Sequence, residues 1–162
     1  MRCKYRSMIR DARPEDLGDI VALVRDLAEY ERAPQEVVLD ADEFARHVFG
    51  DDAVAHVLIA DMGNGSVGGF AVWYRTFSTW LGCDGIWLED LFVRPEYRRS
   101  GLGRELLDAV RARTDGRVEW AVLDWNTPAQ DFYRTIGARP LDDWTVWRWP
   151  AITPREGRAG TD

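Results

Sequence analysis

Hydrophobic residues recur along the chain with two periods, near 3.6 and near 2, and the two periods trade places in a way that predicts a mixed α/β fold. Tyr5, Met8 and Ile9 predict a short first strand. Leu17, Ile20, Val21, Val24, Leu27 and Ala28 then follow the i, i+3, i+4, i+7 spacing of an amphipathic helix. Pro14 suits its first turn, and Glu15 and Asp16 sit at its positive end. The helix is expected to end around residues 29–31, ahead of Ala33-Pro34. Asp40 and Glu43 make a capping pair for a second helix, which carries Phe44 and Val48 and stops at Gly50.

From residue 53 the pattern turns β-rich. Residues 53–60 and 67–74 predict two strands joined by a hairpin at Asn64-Gly65. A longer connection is expected over residues 75–84. Residues 86–93 then predict a mostly buried strand, bounded by Gly85 and Arg94-Pro95 and interrupted only by Glu89 and Asp90. As adjacent strand residues, those two acids are expected on opposite faces. Leu102, Leu106 and Val110 line a third helix ending near Thr114-Asp115-Gly116. Residues 118–123 predict a strand parallel to 86–93, because a helix separates the two. Thr127 and Gln130 read as a capping box with Pro128 at the first helical position, Phe132, Tyr133 and Ile136 follow, and Gly137 closes the helix. Residues 144–149 predict a final strand, or a hairpin pair with the residues just before it. Residues 1–152 are expected to form one domain and residues 153–162 a disordered tail.

Composition narrows the class. The 162 residues are 46% hydrophobic and 30% charged, which suits a globular domain of ordinary size, and no apolar run approaches the ~20 residues of a membrane span. Residues 1–10 lack the apolar centre of a secretory leader, so a cytoplasmic location is expected. Cys3 and Cys83, with His47 and His56, have neither disulfide-framework nor metal-site spacing, and no metal is expected. The formal charge of −7 disfavours nucleic acid and suits a cationic substrate.

The densest signal is strand, turn, helix over residues 86–107. Arg98-Arg99-Ser100-Gly101-Leu102-Gly103 follows the strand and opens the helix, so glycines allow close backbone approach where free helical N–H groups favour an anion. No Gly-Lys-Ser/Thr and no Gly-x-Gly-x-x-Gly accompanies it. The spacing Arg98-x-x-Gly101-x-Gly103 resembles the GNAT superfamily of acyl-CoA-dependent N-acetyltransferases. Asn126-x-x-Ala129-x-x-Phe132-Tyr133 resembles that superfamily's second motif. Leu27 to Glu31, Trp80, Trp87 to Val93 and Asp124-Trp125-Asn126 further resemble its spermidine/spermine (diamine) acetyltransferase subgroup, over about residues 8–149.

The resemblance implies a mostly antiparallel sheet with one splayed parallel strand pair, flanked by helices. It implies acetyl-CoA as co-substrate and a small cationic amine, a polyamine or lysine-like diamine, as acceptor. Arg98 and the backbone of Arg99, Ser100, Gly101, Leu102, Gly103 and Arg104 would hold the diphosphate. A free strand N–H among Leu91, Phe92 and Val93 would polarise the thioester carbonyl, and Asn126 and Ala129 would help seat the cofactor. An aliphatic amine of pKa near ~10.4 needs a proton acceptor at neutral pH. Glu89 and Asp90 both offer a carboxylate, either is equally a structural acid on sequence grounds, and the resemblance favours Glu89. It makes Tyr133 the general acid, and Tyr30, Glu31, Trp80, Glu89, Glu119 and Trp120 the substrate contacts. It also implies a homodimer. The segment after Gly137-Ala138 is shorter than the subgroup pattern, with Asp142-Asp143-Trp144 in place of a Glu-containing stretch. Competing readings are a protein or antibiotic N-acetyltransferase of the same fold and a non-catalytic acyl-CoA-binding module.

Overall fold

The computed structural model describes residues 7–149. The expectations at Cys3 and Tyr5, and for the tail from residue 153, lie outside the described residues. The chain divides between Ala121 and Val122 into two compact units.

In the first unit, five strands form one sheet in the order of the sequence: β1 (Met8–Asp11), β2 (His56–Asp61), β3 (Val67–Ser78), β4 (Cys83–Val93) and β5 (Val118–Glu119). The first three pairings are antiparallel and β4–β5 is parallel. Three helices accompany the sheet: α1 (Leu17–Tyr30), α2 (Ala41–Phe49) and α3 (Leu102–Arg111). Ile20 and Leu23 of α1 are buried with Val57, Ile59, Phe70, Val72 and Phe92 on one sheet face, and Phe44, Val48 and Phe49 of α2 close over them. By strand alternation Leu58, Ala60 and Ala71 face the other way, and they are buried along with Leu102, Leu106, Leu107 and Val110 of α3. The sheet is therefore sandwiched between helices, the mixed architecture expected from the two hydrophobic periods. Arg10 ties the entry of α1 to the sheet: it donates to both carboxylate oxygens of Asp16 (2.8 and 2.9 Å) and to Asp61 (2.9 Å).

The capping expectation at α2 holds, with Asp40 accepting from the Glu43 amide at 2.8 Å. Other boundaries differ. A 3-10 turn at Pro14–Asp16 precedes α1. β3 runs on to Ser78 and pairs with Cys83, so the long connection expected over 75–84 shrinks to a tight turn at residues 79–82. An Arg75–Asp84 ion pair and the Phe77↔Asp84 register hold this polar, exposed stretch as strand, which its weak alternation hid. α3 ends at Arg111, whose guanidinium donates to the Thr114 and Gly116 carbonyls and turns the chain at once. Gly116 is required there, because a Cβ would lie 1.8 Å from the Asp84 carbonyl oxygen. β5 is only two residues long rather than six, so beyond Trp87 β4 takes no ladder partner on that side among the described residues.

In the second unit, α4 (Thr127–Thr135) is capped by the Asn126 side chain, which accepts from the Ala129 amide at 3.3 Å. The expected Thr127–Gln130 box is thus shifted by one residue, with Thr127 as first helical residue. The Gln130 side chain instead donates to the Leu123 and Asp124 carbonyls. Gly137, at φ 86°, closes the helix as expected, with Ala138 N–H donating to Tyr133 O at 3.1 Å. Residues 144–149 form no strand, and Trp144, Val146, Trp147 and Trp149 are exposed. Residues 122–149 contain no strand for them to pair with, and a lone extended segment has nowhere to place its backbone hydrogen bonds.

Candidate active site

Along β4 the register with β3 slips once: Val72 pairs with Asp90, but Trp73 pairs with Leu88. Glu89 is the extra residue of a two-against-one bulge. The slip overturns the expected opposition of Glu89 and Asp90. Asp90 shares its face with Val72, as Trp87 does with its partner Tyr74, and the Trp87 indole N–H donates to Glu89 at 3.0 Å. Both carboxylates therefore lie on the α1 side of the sheet.

Glu31, the C-cap of α1, comes to the same place. Its charge and that of Glu89 act on Asp90, and together with burial, the largest cause, they push the Asp90 carboxyl up to about 7. Burial also raises Glu31. The Tyr74 phenol is raised by burial and by Glu89. The end of α1 is fixed by a closing pair of bonds, Arg32 N–H to Glu29 O (3.1 Å) and Ala33 N–H to Ala28 O (2.9 Å), with Arg32 held at φ 63°. The result is three neighbouring acids, one of them bonded to Trp87 and acting on Tyr74, an arrangement suited to a group carrying more than one positive charge.

At the far end of β4 the chain passes through a 3-10 turn at Pro95–Tyr97 into α3. Arg99 at φ 60° and Gly101 at φ 99° are both left-handed, a curled backbone whose amides converge. No side chain caps α3, so its first-turn N–H groups are left for an outside acceptor, and an anionic diphosphate fits this turn. Ser100 donates to Tyr97 O at 2.5 Å, and Arg104 is engaged by Asp108 at 2.8 Å, so Arg104 offers its backbone rather than its charge. Arg98 folds back to donate to Val93 O at 2.9 Å. Leu91, Phe92 and Val93 form the last stretch of β4, beside the edge that β5 leaves open.

Tyr30, Glu31, Glu89 and the turn at residues 98–104 thus gather around one end of β4. Trp80 does not join them. It lies in the β3–β4 turn at the other end of the strand, roughly 20 Å away at ~3.3 Å per residue. Glu119 lines a shallow pocket near that end with Ser78, Cys83 and Arg117, and Trp120 is half-buried just beyond β5. Asn126, Ala129 and Tyr133 belong to the second unit. There Asn126 is buried as the α4 cap, and Tyr133 packs beside Phe132 with ring centroids 5.4 Å apart. Sequence reasoning weighed Asp90 but favoured Glu89, used Trp87 only within the family resemblance, and gave Tyr74 no role at the site. Their alternation was legible, but the bulge that brings Asp90 beside Glu89 leaves no mark in the residue pattern.

The model of the GNAT acetyltransferase family matches residues 20–138. The chain belongs to that family. It is an acyl-CoA-dependent N-acetyltransferase, with acetyl-CoA as its co-substrate. The chain is 34% identical over 163 residues to the thialysine N-epsilon-acetyltransferase of Bos taurus, covering 92% of this chain and 95% of the bovine protein. It is 29% identical over 150 residues to the Homo sapiens spermidine/spermine N(1)-acetyltransferase-like protein 1, covering 86% of this chain and 21% of the longer human protein. A solved structure of a possible acetyltransferase from Clostridium difficile superposes with a TM-score of 0.74 at 20% identity, over 91% of this chain and 99% of that one, and so shares the GNAT fold. Among the described residues no helix is long and apolar enough to cross a membrane.

Proposed function

We propose that this acetyltransferase transfers the acetyl group of acetyl-CoA to a primary amine of a small polyamine or lysine-like diamine. The observation that carries the reading is the gathering of Glu31, Glu89 and Asp90 beside Tyr74 and Trp87. A single ammonium needs one counter-charge, whereas three neighbouring carboxylates suit a multiply charged cation. The names of the relatives support this class, since thialysine and spermidine both carry more than one amine.

In this reading the curled turn from Arg98 to Gly101 and the amides opening α3 hold the diphosphate of acetyl-CoA, which supplies an activated acetyl group. The open edge of β4 near Leu91, Phe92 and Val93 presents a backbone N–H to the thioester carbonyl oxygen, where negative charge develops. The amine nitrogen attacks the carbonyl carbon, and the carbon–sulfur bond breaks. The amine's proton passes to a carboxylate. Glu89 is the acceptor that family resemblance favours, and Asp90, half-protonated near neutrality, shares its face. Tyr133 delivers a proton to the departing sulfur, a role it takes from its place in the second family motif. We further propose a two-fold homodimer, to which the exposed Trp144, Trp147 and Trp149 contribute.

The test is a coupled assay for free CoA over a panel of spermidine, putrescine, thialysine, an aminoglycoside and a lysine-containing peptide. Turnover confined to spermidine, putrescine and thialysine is expected. Turnover of the peptide or aminoglycoside alone would overturn the substrate assignment.

A further inference from the structure

Arg98 connects the diphosphate turn to the acidic pocket. Its guanidinium carbon lies 4.9 Å from the centroid of the Tyr30 ring and 5.4 Å from that of Phe92, and those two rings meet at 6.4 Å with a 57° tilt. Its Nε–H is spent on Val93 O at 2.9 Å, and its Nη edge takes no acceptor among the described residues. The group thus has its face on Tyr30 and one N–H on the end of β4, while its backbone leads into the turn that fits a diphosphate. Tyr30 is the last residue of α1, and Glu31 follows it directly. The bonds that close α1 at Arg32 and Ala33 hold the backbone of this corner, which carries the Tyr30 ring and the Glu31 carboxylate side by side in the chain.

We propose that Arg98 is a positioning residue through which acetyl-CoA and the amine bind cooperatively, with the Tyr30 ring as the link. The inference rests on the amine-pocket assignment above. The physical cause is the entropy of ordering. A diphosphate that takes the Nη edge immobilises the guanidinium against Tyr30, so the amine no longer bears the cost of ordering that wall. By linkage, the amine must tighten CoA by the same factor as CoA tightens the amine.

The test is calorimetric titration of putrescine into the whole protein, with and without saturating CoA, a pair that cannot turn over. In the unaltered protein CoA should tighten putrescine by about 5–20-fold, within the usual range for coupled sites. Pantetheine, which lacks the diphosphate, should leave putrescine affinity within about twofold. Tyr30→Leu removes the ring face but leaves Arg98 to the diphosphate, and it should bring the ratio to within about twofold of one. Tyr30→Phe keeps the face and should restore the coupling, an outcome that a merely packing role for Tyr30 does not demand. Arg98→Gln should abolish the ratio as well, with thermal melts verifying that each variant is folded. A ratio unchanged in Tyr30→Leu, or a ratio near one in the unaltered protein, overturns the coupling while leaving the pocket assignment intact. Putrescine that binds in neither condition, with spermidine and thialysine failing likewise, overturns both.

Discussion

The raised carboxyl of Asp90 makes a prediction whose sign and size follow from the structure. Asp90 is half-buried on β4 and faces Glu31 from α1 and Glu89 from its own strand, so its carboxyl titrates at about 7 instead of 3.8. Below about pH 4 the folded and unfolded chains both hold the proton, and the group has no effect. Between about 4 and 7 the unfolded chain has released its proton while the folded one keeps it, so stability falls as the pH climbs. Above about 7 both are ionised and the folded chain bears the full cost. At ~1.36 kcal/mol per tenfold change in proton concentration the ceiling is about 4 kcal/mol, and solvent screening at a half-buried site reduces it to about 2. Asp90→Asn keeps the shape and removes the charge. The variant should melt about 4–8 °C above the unaltered protein at pH 8 and with it at pH 4, and the gap should open through the intervening range. A bound diammonium favours the ionised carboxylate, so the KM for putrescine should improve as pH rises through about 7 in the unaltered protein and lose that inflection in Asp90→Asn. Melting curves offset equally at every pH, or a variant less stable at pH 8, would refute the placement of Asp90 among uncompensated acids.

The remaining predictions concern cofactor, catalysis and fold. Acetyl-CoA should raise the melting temperature by mass action, and Gly103→Val, by obstructing the start of α3, should remove that shift; an unmoved melt in the unaltered protein counts against the turn as its site. Tyr133→Phe should lower kcat by about 100-fold, the lower end for a general acid because thiolate leaves fairly well unaided, with little change in melt or CoA affinity; near-normal turnover removes Tyr133 from the mechanism. Gly137→Ala meets open space but must hold φ near 86°, so denaturant unfolding should show a loss of about 1 kcal/mol and no steric penalty beyond it. Asp16→Ala leaves the largely buried Arg10 guanidinium with only Asp61 of its two carboxylate partners, and a loss of about 3 kcal/mol is expected by the same measurement; a loss below about 1 would mean Asp61 and water suffice for that charge.

Much of the molecule was legible because its signals are local. The helical spacing from Leu17 to Ala28, the Asp40 cap, the Asn64-Gly65 hairpin and Gly137 each express a rule satisfied within a few residues, and each is formed. The turn after β4 was legible for the same reason, since a left-handed glycine followed by an uncapped helix is written in consecutive residues. The limits of the local signal appear where a partner decides the outcome. Residues 75–78 are strand only because Cys83 and its neighbours pair with them, and residues 144–149 are not strand although their residues favour it. β5 stops after Glu119, and this leaves the β4 edge open. The acidic pocket is the clearest case. Sequence alone determined that two adjacent carboxylates sit in the central strand. Only the tertiary structure put them on one face, because the face of a strand residue depends on its register with a neighbour, and a single bulge opposite Val72 reverses the parity that alternation predicts.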